Sequence, residues 1–137
     1  MTEDIQKKAI QEYGSPLYLY DLDQFRLNID KLREYLFPES GLFFSMKANP
    51  LSAFSSIACE RSCGVEIASG GELERALDSG AAPGNIVFTG PGKTESELLQ
   101  AIDAQIYMIH VESLREIRII NQLAEGEEPQ CTHCTAY

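Results

Sequence analysis

A chain of 137 residues has room for one packed domain or a portion of a larger one, and not for two ordinary domains. With 44% hydrophobic and 23% charged residues it is too apolar to stay disordered, so folding is the default. The formal net charge of -10 repels phosphate backbones and anionic lipid, which argues against nucleic acid and membrane surfaces as partners.

The opening MTEDIQKKAIQEYG has no basic segment followed by an apolar stretch, and every apolar run is far shorter than a membrane span. The reading is cytoplasmic, with reduced thiols. Asp21 then opens an amphipathic helix through Phe25, Ile29, Leu32 and Leu36. Next comes the first of four short apolar runs: LFFSM beginning at Leu42, VEIA at Val65, IVFT at Ile86 and IYMIHV at Ile106. Each is too short for a helix, is rich in β-branched and aromatic residues, and sets apolar neighbours side by side, as a strand covered on both faces does. They are predicted to be parallel strands at nearly even spacing.

The segments between the runs carry helix punctuation. Asn49 before Pro50 predicts an N-cap and first-turn proline for a helix holding Leu51, Phe54, Ile57 and both Cys59 and Cys63. Ser69 with Glu72, Thr94 with Glu97 and Ser113 with Glu116 are three capping-box pairs, each followed by apolar residues on one helical face. Gly80 and Pro83 stop the first of these helices. The alternation of strand and helix leaves an open doubly wound sheet or a closed (β/α)8 barrel. A dinucleotide-binding sheet needs a G-x-G-x-x-G turn that no loop supplies. The even repeats favour an α/β fold of TIM type, with about half of an eight-stranded barrel present.

Lys47 follows the first run and precedes Asn49-Pro50, which puts it at the carboxyl end of a strand, where barrels assemble chemistry. A lysine partly desolvated there can lose its proton and attack a carbonyl. A solvated surface charge is the plainer reading of that position taken by itself. GPGKT from Gly90 to Thr94 fails as a nucleotide P-loop because Val87 stands where that pattern needs glycine. Gly70 and Gly71 could let an anion approach a helix start, with close packing the plainer reason for them. His110 ends a strand and could face a site, or be a histidine satisfied by its neighbours. CTHC at Cys131 to Cys134 lacks a second ligand pair at finger spacing, so no metal site is expected.

FFSMKANP around Lys47, GVEIASGGEL, IVFTGPGKTESEL and the segment from Ile106 to Glu125 together resemble, in order, the fold-type III pyridoxal-phosphate-dependent decarboxylases. That group includes the diaminopimelate, ornithine and arginine decarboxylases and shares its barrel with alanine racemase. The resemblance runs from Tyr13 to Glu125. It implies an amino-terminal portion of the cofactor-binding barrel over residues 1–125, an amino acid as substrate with diaminopimelate leading, and a homodimer for the full-length enzyme. It also implies that Lys47 forms the imine with pyridoxal phosphate, and that Glu66, where many relatives have Asp, holds or tunes the Lys47 ammonium. An exposed-edge Glu66 is an equal alternative.

Relatives continue with a histidine near the cofactor ring, a glycine-rich phosphate loop, an acidic partner for the ring nitrogen and a second β-rich domain. This chain instead runs into GEEPQCTHCTAY, read as a non-family polar tail over 126–137, mobile and without an apolar strand. The expectation is a truncated decarboxylase chain, inactive alone. The alternative is a non-catalytic cofactor-binding or regulatory homologue, against which retention of Lys47 argues.

Overall fold

The computed structural model describes residues 2–124 and 134–136. Two helices lead in, α1 (Glu3–Tyr13) and α2 (Leu22–Tyr35). Strand and helix then alternate: β1 (Phe43–Ser45), α3 (Ser52–Glu60), β2 (Gly64–Ile67), α4 (Gly70–Asp78), β3 (Ile86–Phe88), α5 (Glu95–Asp103), β4 (Met108–Val111), α6 (Leu114–Ala124) and β5 (Cys134–Ala136). The strands lie side by side in chain order in one sheet, β1-β2-β3-β4-β5. Every pairing is parallel. A doubly wound sheet reverses its strand order at a switch point, whereas a barrel adds each strand beside the last. The uninterrupted order makes this sheet an arc of a barrel.

The arc's two faces differ as a barrel requires. Val65, Ile67, Ile86, Phe88 and Ile109 are almost wholly buried with Leu73, Ala76, Leu98 and Ala101 of the helices in the main apolar cluster. The other parity points to the barrel interior, where Ser45, Glu66, Val87 and Met108 stand in register across four strands. A second cluster joins Ile29 of α2 to Ile57, Ala58 and Cys63. Phe25 seals it, edge-on to Phe44 at 5.5 Å and to Phe54 at 4.9 Å. At the strand β2 entrance, a Cβ on Gly64 would stand 2.7 Å from the Asn85 carbonyl oxygen. Only glycine lets the two backbones come that close.

Several local expectations shift. Asn49 is not the cap of α3: Pro50 holds it extended, at φ -161°. Its Oδ1 accepts from Leu51 N at 3.1 Å, and the helix begins only at Ser52. Cys63 lies beyond the end of α3, between helix and strand. Asp21 caps α2 as expected, accepting from Gln24 N. Of the three boxes, only Thr94 with Glu97 is reciprocal. Glu72 and Glu116 reach one residue further back, to Ala68 N and Glu112 N, while Ser69 and Ser113 still cap their helices.

Two elements come unannounced. Helix α1 buries only Ala9. Strand β5 forms where no strand is expected, Ile109 to Val111 pairing with Cys134 to Ala136. An unpaired strand edge accepts whatever extended backbone reaches it, so pairing there needs little from the side chains. Of the tail read as 126–137, residues 126–133 and 137 lie outside those described, and with them Cys131 to His133 of CTHC, so its expected mobility and the CTHC question fall outside them as well. Among the described residues no helix is long and apolar enough to cross a membrane.

Candidate active site

Strand β1 ends at Ser45 and the chain tightens into a 3-10 turn over Met46–Ala48. Met46 is fully buried and pins the turn to the core. Lys47, next in line, is thereby thrown outward at the carboxyl end of the strand, its side chain 68% exposed. Its Nζ stands 3.7 Å from Glu66 Oε1, and the Glu66 side chain is 25% exposed. Glu66 lies mid-strand in β2, flanked by β1 and β3, and its parity points it inward. The structure thus brings together the two residues singled out from the sequence, and Glu66 is on no sheet edge.

Two further residues complete the group. Thr89, just past β3, donates from Oγ1 to Glu66 Oε1 at 2.6 Å. Ser45 is the register partner of Glu66 on β1, and its Oγ is buried without a hydrogen-bond partner of normal geometry among the described residues. Partial desolvation works to raise the Glu66 carboxyl, but the Ser45 and Thr89 hydroxyls and the Lys47 ammonium outweigh it and hold the group below the usual glutamate range. Ser45 acts here as a neighbouring dipole, since its Oγ makes no hydrogen bond of normal geometry. Both hydroxyls escaped sequence reading although Ser45 lies in FFSMKANP and Thr89 in IVFTGPGKTESEL, because nothing in either segment singles out a lone hydroxyl as functional. The signal available was strand parity, which aligns Ser45 with Glu66 once the strands are paired.

The loops around this face are tied to one another by carboxylates. Glu97 Oε1 of α5 accepts from Gly70 N at the start of α4, at 2.9 Å. Glu112 Oε1 accepts from Gly90 N at 2.9 Å. Gly90 has φ +104°, which glycine alone adopts without strain. Helix α4 therefore spends its first free amides on Glu97 and on Ser69 rather than presenting them to an outside anion. A Cβ on Gly70 would meet Gln100 Oε1 at 2.7 Å, the movable end of a flexible side chain, and Gly71 has open space around it, so close packing does not by itself require glycine at either position.

Lys93, in the same loop as Gly90, is turned inward. It pairs with Glu116 Oε2 at 3.3 Å with both side chains buried. Its Nζ also donates to the Gly90 carbonyl and sits 5.8 Å from the Phe88 ring centroid. His110 occupies β4 with its Nε2 3.1 Å from Met108 Sδ. No group of three or more His, Cys, Asp or Glu among the described residues could hold a metal ion.

Comparison with known proteins places the chain among relatives of one kind. A diaminopimelate decarboxylase of Aquifex aeolicus is 36% identical over 118 residues, covering 86% of this chain and 28% of that protein. An L-glutamyl-[BtrI acyl-carrier protein] decarboxylase of Niallia circulans is 38% identical over 117 residues, covering 85% and 27%. The crystal structure of diaminopimelate decarboxylase from Helicobacter pylori complexed with L-lysine superposes with a TM-score of 0.82 at 31% identity, over 88% of this chain and 31% of that one. The chain therefore spans under a third of the length of these relatives. A family model described as the pyridoxal-binding domain of the pyridoxal-dependent decarboxylases matches residues 22–132. On the strength of that match, the chain belongs to the pyridoxal-dependent decarboxylase family, as a portion of its pyridoxal-binding domain.

Proposed function

We propose that this chain supplies the lysine-bearing side of a pyridoxal-phosphate-dependent amino-acid decarboxylase, with Lys47 as the residue that holds the cofactor. The observation that carries this is the exposed Lys47 amine at the carboxyl end of β1, paired with Glu66 rather than locked into the core. The donor set suits the group. An aldehyde needs an amine within reach of solvent, which Lys47 offers and Lys93, buried against Glu116, does not. Beside it the buried Ser45 Oγ stands ready for a polar partner.

When bound, pyridoxal phosphate supplies an electron sink for the charge left behind as carbon dioxide departs. The chain's own residues do simpler work. Glu66 stays ionised and holds the Lys47 Nζ at the strand mouth, so the amine waits in one direction instead of sweeping through solvent. Thr89 fixes the carboxylate that does the holding. The loop ties from Glu97 and Glu112 keep the surrounding rim in place.

Diaminopimelate is the proposed substrate, on the names of the relatives from Aquifex aeolicus and Helicobacter pylori. A cytoplasmic homodimer is the proposed working form of the complete enzyme. The test is to incubate the protein with pyridoxal phosphate, reduce with borohydride and map the peptides. The adduct is expected on Lys47. An adduct on Lys93, or on no lysine, would remove the proposal.

A further inference from the structure

The interior face at the carboxyl ends of β1, β2 and β3 carries three polar side chains: Ser45 on β1, Glu66 on β2 and Thr89 just past β3. Each has a distinct state. Thr89 Oγ1 is committed to Glu66 Oε1 at 2.6 Å. Lys47 Nζ approaches the same oxygen at 3.7 Å, beyond hydrogen-bond length. Ser45, level with Glu66 in the strand register, has a buried hydroxyl with no hydrogen-bond partner of normal geometry among the described residues. Native structures leave few such groups unpaired, because each forgoes a hydrogen bond it had in water.

We propose that Ser45 and Thr89 are positioning residues that keep Glu66 a carboxylate when Lys47 loses its positive charge, Thr89 as the permanent donor and Ser45 as the donor held in reserve. The inference rests on the proposed function in one respect, that Lys47 gives up its ammonium in the working protein. A largely buried carboxylate stripped of its cation takes up a proton unless other donors support the charged form. Two hydroxyls, each hydrogen-bonded to an ionised oxygen, are strong enough to hold it.

The surroundings offer few substitutes. The turn after β1 presents Lys47, and β3 has no ionisable residue between Ile86 and Phe88. His110 of β4 stands one strand further on. On the opposite face of the sheet, Cys59 of α3 packs against the apolar cluster, and Glu72 of α4 accepts from Ala68 N.

The test reads the Glu66 carboxyl directly, by carbon-13 NMR titration with Glu66→Gln to assign its signal, and needs no cofactor. Thr89→Val should raise the Glu66 midpoint by about one pH unit, and Thr89→Ser should restore it. Ser45→Ala should raise the midpoint by less while Lys47 is present, because the ammonium then shares the support of the carboxylate. In a Lys47→Met background, where no cation is available, the same Ser45→Ala change should raise it by about one unit. An amide spectrum matching the parent shows that each variant is folded, and Thr89→Ala replaces Thr89→Val should the latter unfold. A midpoint unmoved by loss of Thr89, or a Ser45→Ala effect equal with and without Lys47, would overturn the inference. Peptide mapping that finds no cofactor on Lys47 would instead sink the functional reading and leave these titrations standing.

Discussion

Two lysine–glutamate pairs lie at the same end of this sheet and do opposite things. Lys47 and Glu66 meet loosely at 3.7 Å with the lysine side chain 68% exposed, whereas Lys93 and Glu116 meet at 3.3 Å with 0% and 2% exposed. The residue types are identical, so chemistry alone does not separate them. Burial does. An exposed pair contributes little to stability and leaves its amine free to react. A buried pair cannot lose a partner without stranding a charge, which suits it to fastening a loop and unfits it for reaction.

The sharpest way to break that comparison is to remove Lys93. Lys93→Ala strands Glu116 in the core and should cost about 3–5 kcal/mol in urea unfolding. Pairing it with Glu116→Leu should recover much of the loss, because an apolar pair replaces a buried charge. A Lys93→Ala loss no larger than that of a surface change would mean that water already reaches the pair.

Acid offers a gentler probe of the rim. Hydrogen bonds from Gly70 N and then Thr94 N hold the Glu97 carboxyl below its ordinary range. A depressed folded-state pKa means that the stabilisation is complete above the unfolded glutamate value, about 4.3, and is lost as pH falls through the lower folded value. Hydrogen exchange at Gly70 N should therefore stay protected, relative to pH-corrected intrinsic rates, through the ordinary glutamate range and lose protection only as pH falls through the lowered folded-state value. Glu97→Gln should remove the pH dependence. Loss of protection already at neutral pH would show that the tie between α4 and α5 is not formed in solution.

The smallest expected effect sharpens the other side of the comparison. Lys47→Ala should change folding stability by no more than about 0.5 kcal/mol, since the side chain buries little. A loss of several kcal/mol would show that Lys47 fastens structure as Lys93 does.

These contrasts mark what could be read in advance. The four strands and the caps at Asp21 and Thr94 were legible because alternation and capping are local, set by a few neighbouring residues. Lys47 was legible from its place between a strand run and Asn49-Pro50. Lys93 offered the same kind of signal, a lysine in a loop after a strand, and no local pattern says that one turns out and the other in.

The sequence by itself determined the alternation from β1 to α6, the parallel repeat, the family and the position of Lys47 at a strand end. Tertiary structure decided the rest: that Glu66 sits in an interior strand beside Lys47, that Ser45 and Thr89 flank it, that Glu116 leaves its box to meet Lys93, and that Cys134–Ala136 joins β4. The reason is reach. Capping and periodicity act within a turn or two of chain, whereas Thr89 and Glu66 are 23 residues apart and meet only because parallel strands are laid side by side in register.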